Sequence, residues 1–165
     1  VHDVRRAAHG LEVAQQVKAN AGQTGPRCFQ TVGLDGEGQV FSIAMHDRKY
    51  NRYQFIKKWC FSNTCQAVFD FDETLCSQAK SYILRTFEKE YQDNLPAKDA
   101  DSPLYEDDAY WFGYLITYWH FLYGISGKEI MQKYDVCKIL DEFDPLHTLS
   151  IKAAIDKIRE DDRNE

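Results

Sequence analysis

The sequence predicts an α+β fold: a small antiparallel sheet, made of a hairpin and a third strand, packed on helices and followed by a C-terminal helical part. Three observations carry this. Residues 28–34 and 39–45 are short runs containing β-branched and aromatic side chains, and they flank Asp35-Gly36-Glu37-Gly38. That tetrapeptide reads as a hairpin turn, because Gly accepts positive φ. From about residue 75 onward, apolar residues recur at helical spacing instead. Finally, 165 residues with 44% apolar and 28% charged side chains can bury a core without disulfides or metals.

In residues 3–18, Val4, Ala7, Ala8, Leu11, Ala14 and Val17 fit an amphipathic helix, with Asp3 as its N-cap. Residues 19–27 are a loop rich in breakers. In the first strand Phe29, Thr31 and Gly33 alternate with Cys28, Gln30, Val32 and Leu34. In the second, Val40, Ser42 and Ala44 alternate with Phe41, Ile43 and Met45, as in a sheet with one covered face. Residues 47–61 read as a loop and a short helix, and residues 65–71 as the third strand. A helix over about 75–91 has Leu75, Ala79, Tyr82, Ile83, Phe87 and Tyr91 on its apolar face, with Asp72 or Thr74 as cap. Residues 92–106, with Asn94, Pro96, Asp99 and Pro103, read as a linker.

Residues 107–123 carry eight aromatic rings in seventeen positions, on every side of the predicted helix. Such a helix is buried on most sides or keeps a face for a partner. Leu115 and Trp119 are expected to meet the closing helix at Ile151, Ile155 and Ile158. At least two of the tyrosines are expected at a dimer or partner interface. Gly124 stops this helix and Ser126 caps the next, over 127–134. A short helix follows near 136–143, and Asp144-Pro145 opens the last turn and helix.

Charge divides the chain. Residues 1–71 hold nine Lys/Arg against six Asp/Glu, and residues 72–165 hold eleven against twenty. The domain reading places an α+β part at 1–106 and a helical minidomain at 107–165, the two allowed to share one compact domain. A net charge of −6 argues against a duplex nucleic acid coat. No apolar run reaches the roughly 20 residues of a membrane span. The chain opens on Val1 instead of Met, as expected of a trimmed chain, without a signal-peptide pattern. The five cysteines (28, 60, 65, 76, 137) are odd in number and include no Cys-x-x-Cys. This disfavours a disulfide framework or a four-ligand zinc site and points to the cytoplasm. Cys60, Cys65 and His46 are the one set that could hold a metal on paper; no metal is expected.

Val68-Phe69-Asp70-Phe71-Asp72-Glu73-Thr74-Leu75 is the stretch closest to a chemical motif. It resembles the first motif of haloacid-dehalogenase-type phosphotransferases, apolar-Asp-x-Asp-x-Thr. In that family the first Asp attacks phosphorus, the second handles the proton, and both help hold Mg²⁺. Alternate residues beyond a strand end point the same way, so two carboxylates can converge on one phosphate. The later motifs of the family need further parallel strands, and the residues after Thr74 read as helices. The competing reading is a helix cap built by Asp72 or Thr74.

Gly124-Ile125-Ser126-Gly127-Lys128-Glu129, Tyr134-Asp135-Val136 and Phe143-Asp144-Pro145-Leu146-His147-Thr148 keep an order and separation of their own. Through them residues 107–161 resemble an uncharacterised bacterial family, domain of unknown function 3791. That family has an aromatic-rich helix, a Gly-Ile-Ser-Gly turn, a Tyr-Asp-x-Leu-His-Thr segment and a closing helix. The chain departs from it at Asp135, where Gly is usual, and at Pro145. Members stand beside or are fused to ADP-ribosyltransferase-like proteins in toxin–antitoxin-like gene pairs. The resemblance therefore implies interaction or regulation, not a reaction. His147 reads as a backbone hydrogen-bonder or helix cap, with binding as the alternative.

Arg48, Lys49, Arg52, Lys57 and Lys58 interleave with Tyr50, Tyr53, Phe55 and Trp59. Charge for phosphate and rings for stacking suit a nucleotide or single strand. The alternative is a helix with a solvated basic face, neutralised by acids of the second half. The function expected is a protein-interaction or regulatory module in a bacterial toxin–antitoxin or defence pair, partnered by an ADP-ribosyltransferase-like toxin. Its partner is a protein, or a second copy through the aromatic helix, and no cofactor is expected. The alternative is a phosphate- or nucleotide-processing enzyme using Asp70 and Asp72, with Mg²⁺ and the basic stretch as clamp.

Overall fold

Of the residues expected to form the hairpin, those from 33 onward fold as one helix, α1 (Gly33–His46). Their apolar pattern satisfies the 3.6 period better than the 2.0 period. Glu37, Val40, Phe41, Ala44 and Met45 are all buried, and they lie at i, i+3, i+4, i+7 and i+8. The structure, a computed structural model, describes residues 33–70, 72–99 and 106–164. The helix expected at 3–18, the loop at 19–27 and the start of the first strand lie outside the described residues.

The expected third strand is also a helix. After α2 (Arg52–Phe61) comes α3 (Asn63–Phe69), and Ser62 caps it by accepting the Cys65 N–H at 2.9 Å. Buried pairs four apart recur here: Phe55 and Ile56 with Trp59 and Cys60, then Thr64 and Cys65 with Val68 and Phe69. A two-residue period would have put half of each set in water. The described part of the molecule is thus all-α and not α+β. Among the described residues the β contact is one isolated antiparallel bridge, Tyr50 to Lys98.

The remaining helices follow the sequence more closely. The helix expected over 75–91 is split into α4 (Glu73–Cys76) and α5 (Lys80–Tyr91), and Asp72 caps α4 by accepting the Leu75 N–H at 3.0 Å. A 3₁₀ turn over Gln92–Asn94 precedes the extended residues at 97–99, which bond back to Lys49 and Asn51. Next come α6 (Glu106–Tyr123) and α7 (Gly127–Lys133), the latter opened by a complete Ser126–Glu129 capping box. They are followed by α8 (Val136–Asp141), α9 (Phe143–Leu146) and α10 (Ile151–Asn164). Gly124, at φ +65°, ends α6 in the left-handed conformation that favours glycine.

α6 is the central helix. α1 packs along it, and α7 and α10 also contact it. Leu115 and Trp119 are buried in one core with Ile151, Ile155 and Ile158, and that core also holds Phe41, Phe55, Trp59 and Phe87 from the first half. The α1–α6 crossing is made at glycine. A Cβ on Gly113 would stand 2.8 Å from the Glu37 carbonyl oxygen and 3.0 Å from the Gly38 Cα. Gly38, one of the two glycines that suggested a turn, serves this close approach.

Candidate functional site

A shallow groove opens between α8 and α10. Its floor is apolar, with Ile139 and Ile158 buried at the backs of the two helices and Tyr134 at the end of α7. Its rim is acidic: Asp135 and Glu142 from the α8 side, Asp161 and Asp162 from α10, with Lys138 as the basic member. The local sequence places them so. Asp135 caps α8 through the Lys138 N–H at 3.1 Å. In α10, Ile151, Ala154, Ile155 and Ile158 take the inner face and leave Asp161 and Asp162 at the edge. Lys157 pairs with Asp161 at 3.2 Å along the helix. From residue 134 to the end, nine acidic residues stand against five basic ones, so this stretch is negative, and four carboxylates against one lysine line the groove itself.

The residues of the basic stretch are distributed among other elements. Arg48 donates from Nε to Glu88 of α5 at 2.7 Å, and the Tyr50 hydroxyl donates to the same carboxylate oxygen at 2.8 Å. Arg52 donates to Asp108 of α6 at 3.0 Å and to the Tyr53 hydroxyl at 3.0 Å, and Tyr53 donates to Asp141 of α8 at 2.7 Å. Burial pushes the Asp108 carboxyl upward despite the guanidinium, the Arg52 pairing and the Ala109 N–H only offsetting part of it. The Lys58 ammonium lies 5.3 Å from the centre of the Tyr91 ring, while Lys49, at φ +58°, and Lys57 are exposed. Phe55 and Trp59, expected as stacking rings, are core residues.

Asp70 and Asp72 do not lie beyond a strand. Asp70 ends α3 and accepts from Gln66 at 2.9 Å, and Asp72 caps α4. The geometry that made alternate carboxylates converge belongs to a strand end, and here the residues before Asp70 and after Asp72 are helical. His147 is exposed, its Nδ1 2.9 Å from the Phe143 carbonyl oxygen and its ring stacked on Phe143 at 4.4 Å. Cys60 and Cys65 are buried free thiols and His46 is exposed; among the described residues no group of three His, Cys, Asp or Glu could hold a metal. Of the tyrosines in α6, Tyr114 and Tyr118 are buried and Tyr110 is half-buried. Tyr123 is exposed, with Arg159 4.1 Å from its ring centre. No helix among the described residues is long and apolar enough to cross a membrane.

Sequence reading missed a second cluster, at the junction of α1, α2 and α6. Glu37 is 1% exposed. It accepts the Trp59 Nε1–H at 2.9 Å and is hydrogen-bonded to the Thr117 hydroxyl. Burial pushes its carboxyl up to about 7, against the pull of Thr117 and Trp59. The thiols of Cys60 and Cys65 are pushed up by burial first and by Glu37 second. The available signal was positional, since residue 37 sits three and four before the apolar pair Val40-Phe41. Compared with family models, curated proteins and solved structures, the chain matches none.

Proposed function

We propose that this chain is a protein-interaction or regulatory module, and that its docking face is the acidic groove between α8 and α10. The observation that carries this is the groove's composition: an apolar floor of Ile139, Ile158 and Tyr134 under a rim of Asp135, Glu142, Asp161 and Asp162. A floor and rim of this kind suit a basic amphipathic segment. Lys and Arg stems cover apolar surface while their charged heads reach carboxylates. Tyr134 also belongs to the residues through which 107–161 resemble the uncharacterised bacterial family, while Asp135 is a departure from it. That resemblance supplies the partner class, an ADP-ribosyltransferase-like protein encoded beside the module.

The test is fluorescence anisotropy with a labelled Lys/Leu amphipathic peptide and an acidic peptide of the same apolar pattern. The basic peptide binds, its affinity falls as salt rises, and Glu142→Lys with Asp162→Lys weakens it at least about tenfold while leaving the fold unchanged. Equal binding of the acidic peptide, or indifference to both reversals, would remove the groove from the reading.

A further inference from the structure

The hydroxyl of Thr117 has one hydrogen and two oxygen neighbours. One is the Gly113 carbonyl oxygen at 2.8 Å, which can only accept; the other is Oε2 of Glu37. An ionised Glu37 can also only accept, so the single hydrogen would leave one of these contacts without a proton. A protonated Glu37 completes both. Its Oε2–H donates to Thr117 Oγ1, Thr117 donates to the Gly113 carbonyl, and Oε1 accepts the Trp59 Nε1–H at 2.9 Å. We propose that Glu37 sits in the packed state as a neutral carboxylic acid, and that this proton relay makes the junction of α1, α2 and α6 a pH-sensitive latch.

The surroundings agree. Trp59 of α2 and the Thr117 hydroxyl of α6 bond to Glu37, and the Cys60 thiol of α2 and the Cys65 thiol of α3 lie within reach of its charge, which would push them up. The buried charge of α6, Asp108, is paired with Arg52. The two carboxylates of α5 are engaged elsewhere, Glu88 by Arg48 and Tyr50 and Glu90 by the N–H groups of Asn63 and Thr64. Among the described residues no cation is paired with Glu37. A buried carboxylate without a cation is costly, and a proton is the simplest remedy.

The carboxyl is raised from 4.5 to about 7 on folding. Stability from this group is therefore full below the unfolded value and falls as pH climbs from 4.5 to about 7. Above that the loss is complete and constant. The decisive variant is Glu37→Gln. Its amide is shaped like the neutral acid, donating to Thr117 and accepting from Trp59.

Urea unfolding of both proteins across this range is expected to show near-equal stability at low pH. Above about pH 7 the unfolding constant of wild type should exceed that of Glu37→Gln by about three-hundredfold. A Gln variant less stable than wild type by the same factor at every pH would overturn the proposal. Should Glu37→Gln not fold, isotope-edited infrared spectroscopy of wild type carrying ¹³C-glutamate decides. A protonated glutamic acid band at about pH 6, where solvated glutamates are ionised, is the expected result, and its absence contradicts the latch.

Discussion

Carboxylates occupy two opposite settings in this molecule. In the α8–α10 groove they ring an apolar floor at the surface, where water and neighbouring lysines share the charge. At the α1–α2–α6 junction a single buried carboxyl meets an indole N–H and a hydroxyl. Negative charge is usable at one place and not at the other. On the rim it is cheap to hold and available to a basic partner. In the core it is silenced by a proton, and the polar group becomes a packing element tied to pH.

The largest effect expected on this contrast comes from the helix crossing that encloses Glu37. Gly113→Val places side-chain carbon against the Glu37 carbonyl, at 2.8 Å for the Cβ alone, on a backbone atom that cannot rotate away. It should lower unfolding free energy by about 3 kcal/mol in urea titrations, even though glycine is the poorer helix former. A neutral result would mean that the two helices do not meet as closely as described. Thr117→Val keeps the shape but removes the relay hydroxyl. It should cost about 2 kcal/mol, because Glu37 is left with an unmet polar atom in the core. Stability unchanged by this variant would argue that water reaches the junction. The smallest effect belongs to the surface: Lys157→Ala removes the 3.2 Å pair to Asp161 and should change stability by less than about 0.5 kcal/mol. A larger loss would place the groove rim in the structural framework of the domain.

Much of the second half was legible in the sequence because its signals are local. Ser126 and Glu129 form their capping box and Asp135 caps α8 through its own side chain. Gly124 breaks α6, and the 151/154/155/158 stripe is helical by spacing alone. The loop and short helix expected over 47–61 match α2, but the hairpin and the third strand were misread because their signals are tertiary. Gly36 and Gly38 suggested a turn, yet Gly38 is small for the sake of the α6 backbone and Tyr110. Cys65, Val68 and Phe69 suited a strand by residue type, while the burial of Thr64 beside them set the helical period. The groove was partly visible as acidic excess in the second half, but its apolar floor needs α8 and α10 side by side. The spacing of Glu37 from Val40 and Phe41 could have placed it on the buried face of a helix, but nothing near it in the chain states that Trp59 and Thr117 will reach it.

The central claim, that one carboxyl in the core carries a proton while those on the rim serve as charge, is tested most directly by NMR. The side-chain carboxyl carbon of Glu37, assigned by its loss in Glu37→Gln, is followed through a pH titration of the folded protein. A midpoint near 7 is expected, with amide shifts in α1 and α6 moving at the same pH. A Glu37 carboxyl already ionised at about pH 5, like a solvated glutamate, would contradict it.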